Sequence, residues 1–239
     1  MTEQRPSADV WIVRWADFDE DSLYELLGET ERSRAGRITD TSARTRFVLA
    51  RGLLRQVIGR ELNVAPDALR FDHSSTGRPR VRAPSKGMDL RFSVSHADAW
   101  GLLGITRGQA IGVDVERLRS DLPVHRLAER FFTRRESTRL RHSPKDRRIE
   151  DFIRMWTAKE ALIKAHGETV PQALRRYELD VQQDDETVAL SRIDGNEDSS
   201  QRWQLATRYL DARYVATVAL ESPDAAINWQ HLNRAPRRA

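Results

Sequence analysis

The apolar residues of this chain change period along its length, and that change limits the folds open to it. Across residues 31–62, Phe47, Ala50, Leu54, Val57 and Ile58 recur at steps of three and four, the period of a helix. Across 90–95, Leu90, Phe92 and Val94 alternate with Arg91, Ser93 and Ser95, the period of a half-buried strand that ends at Ser95-His96. Residues 100–106 read as its hairpin partner, Arg107-Gly108 as a turn and 110–115 as a third strand. Across 149–166 the period is helical again, closing at Gly167.

Shorter elements fill the intervals. A first strand is expected at 10–15 and a short helix at 21–27, ending near Gly28. Residues 72–87 are rich in Ser, Gly, Pro and Arg and read as loop, with Gly77-Arg78-Pro79 turning into an extended piece at 80–82. A charged helical region at 127–140 is interrupted by Phe131-Phe132-Thr133, and 182–202 is a polar connector around a strand at 188–193. A hairpin at 203–208 and 213–220 precedes a tail that reads as loose. No internal repeat is present, and 239 residues suit either one domain or two compact lobes.

Composition narrows the chemistry. With no cysteine, disulfides, thiolate metal sites and a cysteine nucleophile are excluded. No window approaches the roughly 20 apolar residues of a membrane span, and no secretory pattern opens the chain, so a cytoplasmic protein with no membrane association is expected. The net charge of +4 and 36 acidic residues interspersed among the basic ones describe a solvated arginine-rich surface. A nucleic-acid-binding protein is the competing reading from another class. The lysines are only Lys86, Lys145, Lys159 and Lys164. A guanidinium stays charged and is no practical proton donor, so two lysines in one short segment single it out as a place for an ammonium.

Three local patterns carry candidate chemistry. In Gly112-Val113-Asp114-Val115-Glu116 the two carboxylates share one side of a strand, with Val113 and Val115 on the other. Magnesium takes oxygen ligands, often one or two carboxylates plus substrate phosphates, and an Asp-x-Glu suits it; the same pattern equally describes the wet side of an edge strand. Glu160 stands one helical turn before Lys164, a spacing shared with ordinary surface ion pairs that contribute only about 0.3–0.5 kcal/mol. Ser95 and His96 at a strand end suit a phosphate, although a lone histidine is more often structural. Arg44, Arg51 and Arg55 add a guanidinium stripe along the 31–62 helix, where a phosphate would also fit.

The order of these parts resembles the Sfp-type 4′-phosphopantetheinyl transferases over residues 31–167. The resemblance is carried by Gly77-Arg78-Pro79, Phe92-Ser93-Val94-Ser95-His96, Ile111-Gly112-Val113-Asp114-Val115-Glu116, Phe131-Phe132-Thr133 with Glu136, and Trp156-Thr157-Ala158-Lys159-Glu160 with Lys164. It implies an α+β fold of two similar lobes related by a pseudo-twofold, 1–117 and 118–239, each an antiparallel sheet on a long helix, with the active site between them. It implies transfer of the phosphopantetheine arm of coenzyme A to a serine of an apo acyl or peptidyl carrier protein, releasing adenosine 3′,5′-bisphosphate. Asp114, Glu116 and Glu160 would bind Mg2+. Arg51, Arg78, Ser95 and His96, with Arg34 and Arg46, would hold the nucleotide. Lys159 and Lys164 would contact coenzyme A, and Glu160 and Lys164 would move protons. A monomer is expected. A metal phosphohydrolase would share the carboxylates but release a free product. The family's Gly-Lys-Gly or Gly-Arg-Gly after the second helix is here Gly167-Glu168-Thr169, which puts contacts near Glu168 in question.

Overall fold

A computed structural model describes residues 6–73, 79–82, 89–169, 173–181 and 188–233. In chain order the elements are β1 (Ser7–Arg14), α1 (Glu20–Tyr24), α2 (Glu29–Arg37), α3 (Thr41–Leu62), β2 (Phe71–His73), β3 (Pro79–Val81), β4 (Leu90–Ala97), β5 (Trp100–Arg107) and β6 (Ile111–Arg117). They continue with α4 (Val124–Phe131), α5 (Arg134–His142), α6 (Arg148–His166), β7 (Tyr177–Val181), β8 (Val188–Ile193), β9 (Gln204–Asp211), β10 (Tyr214–Leu220) and β11 (Ala226–His231). The class is α+β, as the resemblance implied. Among the described residues no helix is long and apolar enough to cross a membrane.

The chain divides into two compact units that are not successive halves. One comprises 1–11, 89–98 and 102–230; the other comprises 12–88, 99–101 and 231–239. Strand β6, expected in an N-terminal lobe, therefore falls in the same unit as α6. The reason is pairing: β10 lies between β6 and β9 in one antiparallel sheet, with Thr217 opposite Asp114 and Val215 opposite Glu116. Helix α6 packs across β6 and β10, burying Met155, Ala158 and Leu162 with Val215 and Ala219 in one core. A second sheet runs in the order β11-β1-β5-β4.

Gly112 sets how closely α6 approaches. A β-carbon at that position would lie 1.9 Å from the Ala161 carbonyl oxygen and 2.6 Å from the Ala165 amide nitrogen. Backbone thus rests on backbone, a contact no larger residue allows. The helix ends as expected, with Gly167 in the left-handed region at φ 75° and the Glu168 amide bonded to the Ile163 carbonyl.

Several sequence expectations are corrected. The 31–62 helix is broken into α2 and α3, because Asp40 caps α3 by accepting from the Ala43 amide at 2.6 Å. The apolar side of β4 was expected to face inward. Instead Val94 is 39% exposed and Ser93 is buried, because the Ser93 hydroxyl accepts the Val113 amide at 3.1 Å and satisfies a β6 donor. Strand β7 went unread within its polar surroundings, and the tail expected to be loose contains β11. Most of the 72–87 loop lies outside the described residues.

Gly112→Ala is expected to cost at least about 1–3 kcal/mol, the range for forced overpacking, since the atom it meets is backbone. Urea unfolding of the purified variant measures this; an unchanged midpoint would show that α6 does not rest on Gly112.

Candidate active site

The seat of α6 on Gly112 decides what lies beside Asp114. Ala161 and Ala165 touch the glycine, so the neighbouring helical row, Glu160 and Lys164, lies alongside them. Lys164 Nζ accordingly reaches Asp114 Oδ1 at 2.6 Å and Ser95 Oγ at 2.9 Å, and the Ser95 hydroxyl donates to the same Asp114 oxygen at 2.7 Å. Asp114 is 2% exposed, so β6 does not turn this carboxylate to water. Its second oxygen, Oδ2, is buried and has no hydrogen-bond partner among the described residues.

The remaining carboxylates are held in an environment that resists their charge. Burial, then Asp114, then Glu160 push the Glu116 carboxyl up to about 7, with Lys164 and Arg119 opposing. Burial and Asp114 likewise raise Glu160, against Lys164 and a hydrogen bond from Trp156. Three acids thus share one desolvated region. Among the described residues, no three Asp, Glu or His side chains already form a closed cation-binding cluster. Magnesium needs no such cage, because it keeps waters and accepts substrate phosphates alongside one or two carboxylates. An orphaned buried oxygen, two carboxyls disfavoured as anions and an all-oxygen donor set fit a hard divalent cation.

Lys159 does not join this group. The resemblance placed it against coenzyme A, but its side chain is 0% exposed and faces the core of the first unit. Its ammonium contacts Glu136 Oε1 at 2.9 Å and donates to the carbonyls of Leu174, at 2.8 Å, and of Tyr177. Glu136 in turn accepts the Leu179 amide and the Thr133 amide, both at 2.8 Å. One internal ion pair therefore ties α5, α6 and β7 together. The sequence signal for it was the Thr133-x-x-Glu136 spacing, a capping box that fixes Glu136 at the start of α5. Burial pulls the Lys159 pKa below its ordinary value, with Glu136 opposing.

The arginine stripe also separates into roles. Arg55 is buried and bound to Glu31 at 2.5 Å and to the Pro66 and Leu69 carbonyls, a structural arrangement, and Arg44 pairs with Glu20 at 3.0 Å. Arg34 and Arg51, by contrast, line a cavity of about 690 Å3 in the second unit, together with Phe47 and Phe71. Arg46 is half-buried and does not line it. His96 is exposed on β4, so Ser95 and not His96 is brought to Asp114. Arg78 lies outside the described residues. Glu168 is held within the first unit by Arg176 and by the Tyr177 hydroxyl at 3.0 Å.

With this geometry in hand, comparisons with known proteins agree on one group. Residues 110–219 match the profile of the 4′-phosphopantetheinyl transferase superfamily. The chain is 32% identical over 218 residues to the 4′-phosphopantetheinyl transferase HetI of Nostoc sp., covering 90% of this chain and 86% of that one. It is 25% identical over 208 residues to the 4′-phosphopantetheinyl transferase Sfp of Bacillus subtilis, covering 86% and 87%. It is 27% identical over 209 residues to the L-aminoadipate-semialdehyde dehydrogenase-phosphopantetheinyl transferase of Xenopus laevis, covering 81% and 68%.

Two outcomes follow from these environments. Lys159→Met leaves the Glu136 carboxylate buried without its cation and is expected to cost about 3–5 kcal/mol in denaturant unfolding; a loss under about 1 kcal/mol would remove the ion pair from the core's support. Glu116 has a folded-state pKa near 7 against 4.5 for the ordinary carboxyl. The folded protein therefore holds this proton more tightly, and in the metal-free protein its contribution is full below about pH 4.5 and lost as pH rises through about 7. Thermal melts of wild type and Glu116→Gln across pH 4.5–8 should diverge in that window, the wild type falling more steeply. Parallel curves would contradict the assignment.

Proposed function

Because this chain belongs to the 4′-phosphopantetheinyl transferase family, we propose that it moves the phosphopantetheine arm of coenzyme A onto a serine of an apo acyl or peptidyl carrier protein, in a magnesium-dependent reaction. The observation that carries this reading is the group of Asp114, Glu116, Glu160 and Lys164 on β6 and α6, with one Asp114 oxygen left bare. Acting as a monomer in the cytoplasm, and on neither nucleic acid nor membrane, belongs to the same proposal.

In the reaction, the carrier serine oxygen forms a new bond to the β-phosphorus of coenzyme A. The bond from that phosphorus to the bridging oxygen breaks, and adenosine 3′,5′-bisphosphate leaves. Held by oxygens of Asp114, Glu116 and Glu160, magnesium would supply charge stabilisation on the pyrophosphate. Glu160 takes the serine proton. Its raised pKa makes it a stronger base than an exposed glutamate, closer to the range where proton transfer near neutrality is efficient. Lys164 carries an ammonium beside Asp114 and gives a proton or a charge to the leaving phosphate, a role in which arginine would serve only as a charge. Ser95 holds Asp114 and Lys164 in register through its single hydroxyl. The nucleotide is assigned to Arg34, Arg46, Arg51, Arg78, Ser95 and His96. Lys159 is withdrawn from the coenzyme A contacts because its ammonium is fully engaged inside the core.

The test is to incubate the protein with magnesium, coenzyme A and an apo carrier protein and to weigh the carrier. A mass increase of one phosphopantetheine supports the reading, and an unmodified carrier across fatty-acid, polyketide and nonribosomal-peptide types would contradict it. In the same assay, Glu160→Gln should lose about 10²-fold or more in turnover with its melting curve preserved. Lys164→Arg keeps the positive charge; full activity in that variant would reduce Lys164 to a phosphate clamp.

A further inference from the structure

Lys164 stands where the carboxylates call for a cation. Its ammonium lies 2.6 Å from Asp114 Oδ1 and 2.9 Å from Ser95 Oγ. Burial and the neighbouring carboxyls raise Glu116 and Glu160, and the same ammonium opposes both. All of these groups belong to β4, β6 and α6 within the first unit. One internal charge therefore serves three acids. A divalent ion held by those acids would share their oxygens with the ammonium, and two cations on one small anionic group repel each other strongly where water is excluded.

The two lysines of α6 differ in their freedom to move. Lys159 is 0% exposed, with Glu136 and the carbonyls of Leu174 and Tyr177 around its ammonium, so the core holds it in place. The Lys164 side chain is 23% exposed. Its flexible stem has an open side, and its ammonium is a compact charge with three rotatable donors, so it can exchange Asp114 for another anion. Asp114 has supports that do not involve this lysine. The Ser95 hydroxyl donates to Oδ1 at 2.7 Å, the Ser93 hydroxyl accepts the adjacent Val113 amide at 3.1 Å, and β10 pairs along the length of β6. The carboxylate is thus fixed by the strands, and the ammonium is the movable partner.

We propose that Lys164 is the built-in counter-ion of the carboxylate group: it occupies Asp114 until a divalent ion arrives and then passes to the phosphate that accompanies the ion. Ion and phosphate then load together, and the ion alone binds poorly. This inference rests on the transferase reading and adds what regulates the loading of that site. It also gives Lys164 its path to the leaving phosphate.

The probe is Mn2+ alone, titrated into the metal-free full chain with free ion read by electron paramagnetic resonance, in wild type, Lys164→Met, Lys164→Gln and Arg119→Gln. Lys164→Met should bind the ion about tenfold or more tightly than wild type. Lys164→Gln keeps N–H donors for Asp114 and Ser95 without the charge; it should tighten binding likewise, and it carries the test if the Met variant does not fold without metal. Arg119→Gln removes an exposed cation that acts on Glu116, and should change the affinity less than about threefold. A merely structural role for Lys164 predicts weaker binding once it is replaced. Weaker or unaltered binding by the folded Lys164 variants overturns the counter-ion, as does equal tightening in Arg119→Gln, the mark of a diffuse charge effect. If wild type modifies the carrier but the Lys164 variants bind Mn2+ no better than it does, the counter-ion fails and the transferase reading stands; if no protein binds Mn2+ and wild type modifies no carrier, both fail.

Discussion

Helix α6 lies on strand β6 with backbone touching backbone, and only the absent side chain of Gly112 permits it. The chemistry of the first unit depends on that contact. Once Ala161 and Ala165 are seated, the geometry of a helix leaves no freedom in where Glu160 and Lys164 go, and the two-residue period of a strand fixes Asp114 and Glu116 beside each other. Four ionisable groups from two elements are thus brought together by packing that involves none of them. The ion pair of Lys159 and Glu136 supports the same helix from its other side, linking it to α5 and β7.

Electrostatics then gives this region its character. Three carboxylates share a desolvated space with the Lys164 ammonium, and Arg119 acts on Glu116 as well; protons or a cation can meet the remaining negative charge. Burial raises Glu116 and Glu160 for the same reason that it leaves the Asp114 Oδ2 atom without a partner: the surrounding strands and helix exclude water without supplying enough donors. A site of this kind is poor support for folding and good support for binding a divalent ion with a phosphate ester. The second unit presents the opposite charge, two guanidiniums held over one ring beside a cavity.

Much of this was legible in the amino-acid order, and the failures have physical causes. Element type followed from period, and Gly167 marked the end of α6, because both are local properties of the chain. Spacing and the scarcity of lysine singled out Asp114, Glu116, Glu160 and Lys164 as candidates, and the resemblance joined them into one site. Lys159 was placed against coenzyme A because it matches a lysine of the family's helix; its partner, Glu136, is distant in sequence, and the burial of the pair is a tertiary fact. The serine side of β4 was misread because alternation identifies two faces but not which one is covered, and the hydroxyls of Ser93 and Ser95 satisfy β6 groups that no local pattern reveals. The single helix expected over 31–62 ignored Asp40, whose side chain begins α3 anew.

In the function proposed for this chain, Asp114 and its neighbours hold a divalent cation for phosphate chemistry. Titration of Mn2+ into the metal-free protein in the presence of coenzyme A, with free ion read by electron paramagnetic resonance, tests it most directly. The expected result is saturable binding of one ion per chain that Asp114→Asn abolishes or severely weakens while the variant remains folded. Absence of saturable binding by the wild type, or equal binding by Asp114→Asn, would contradict the account.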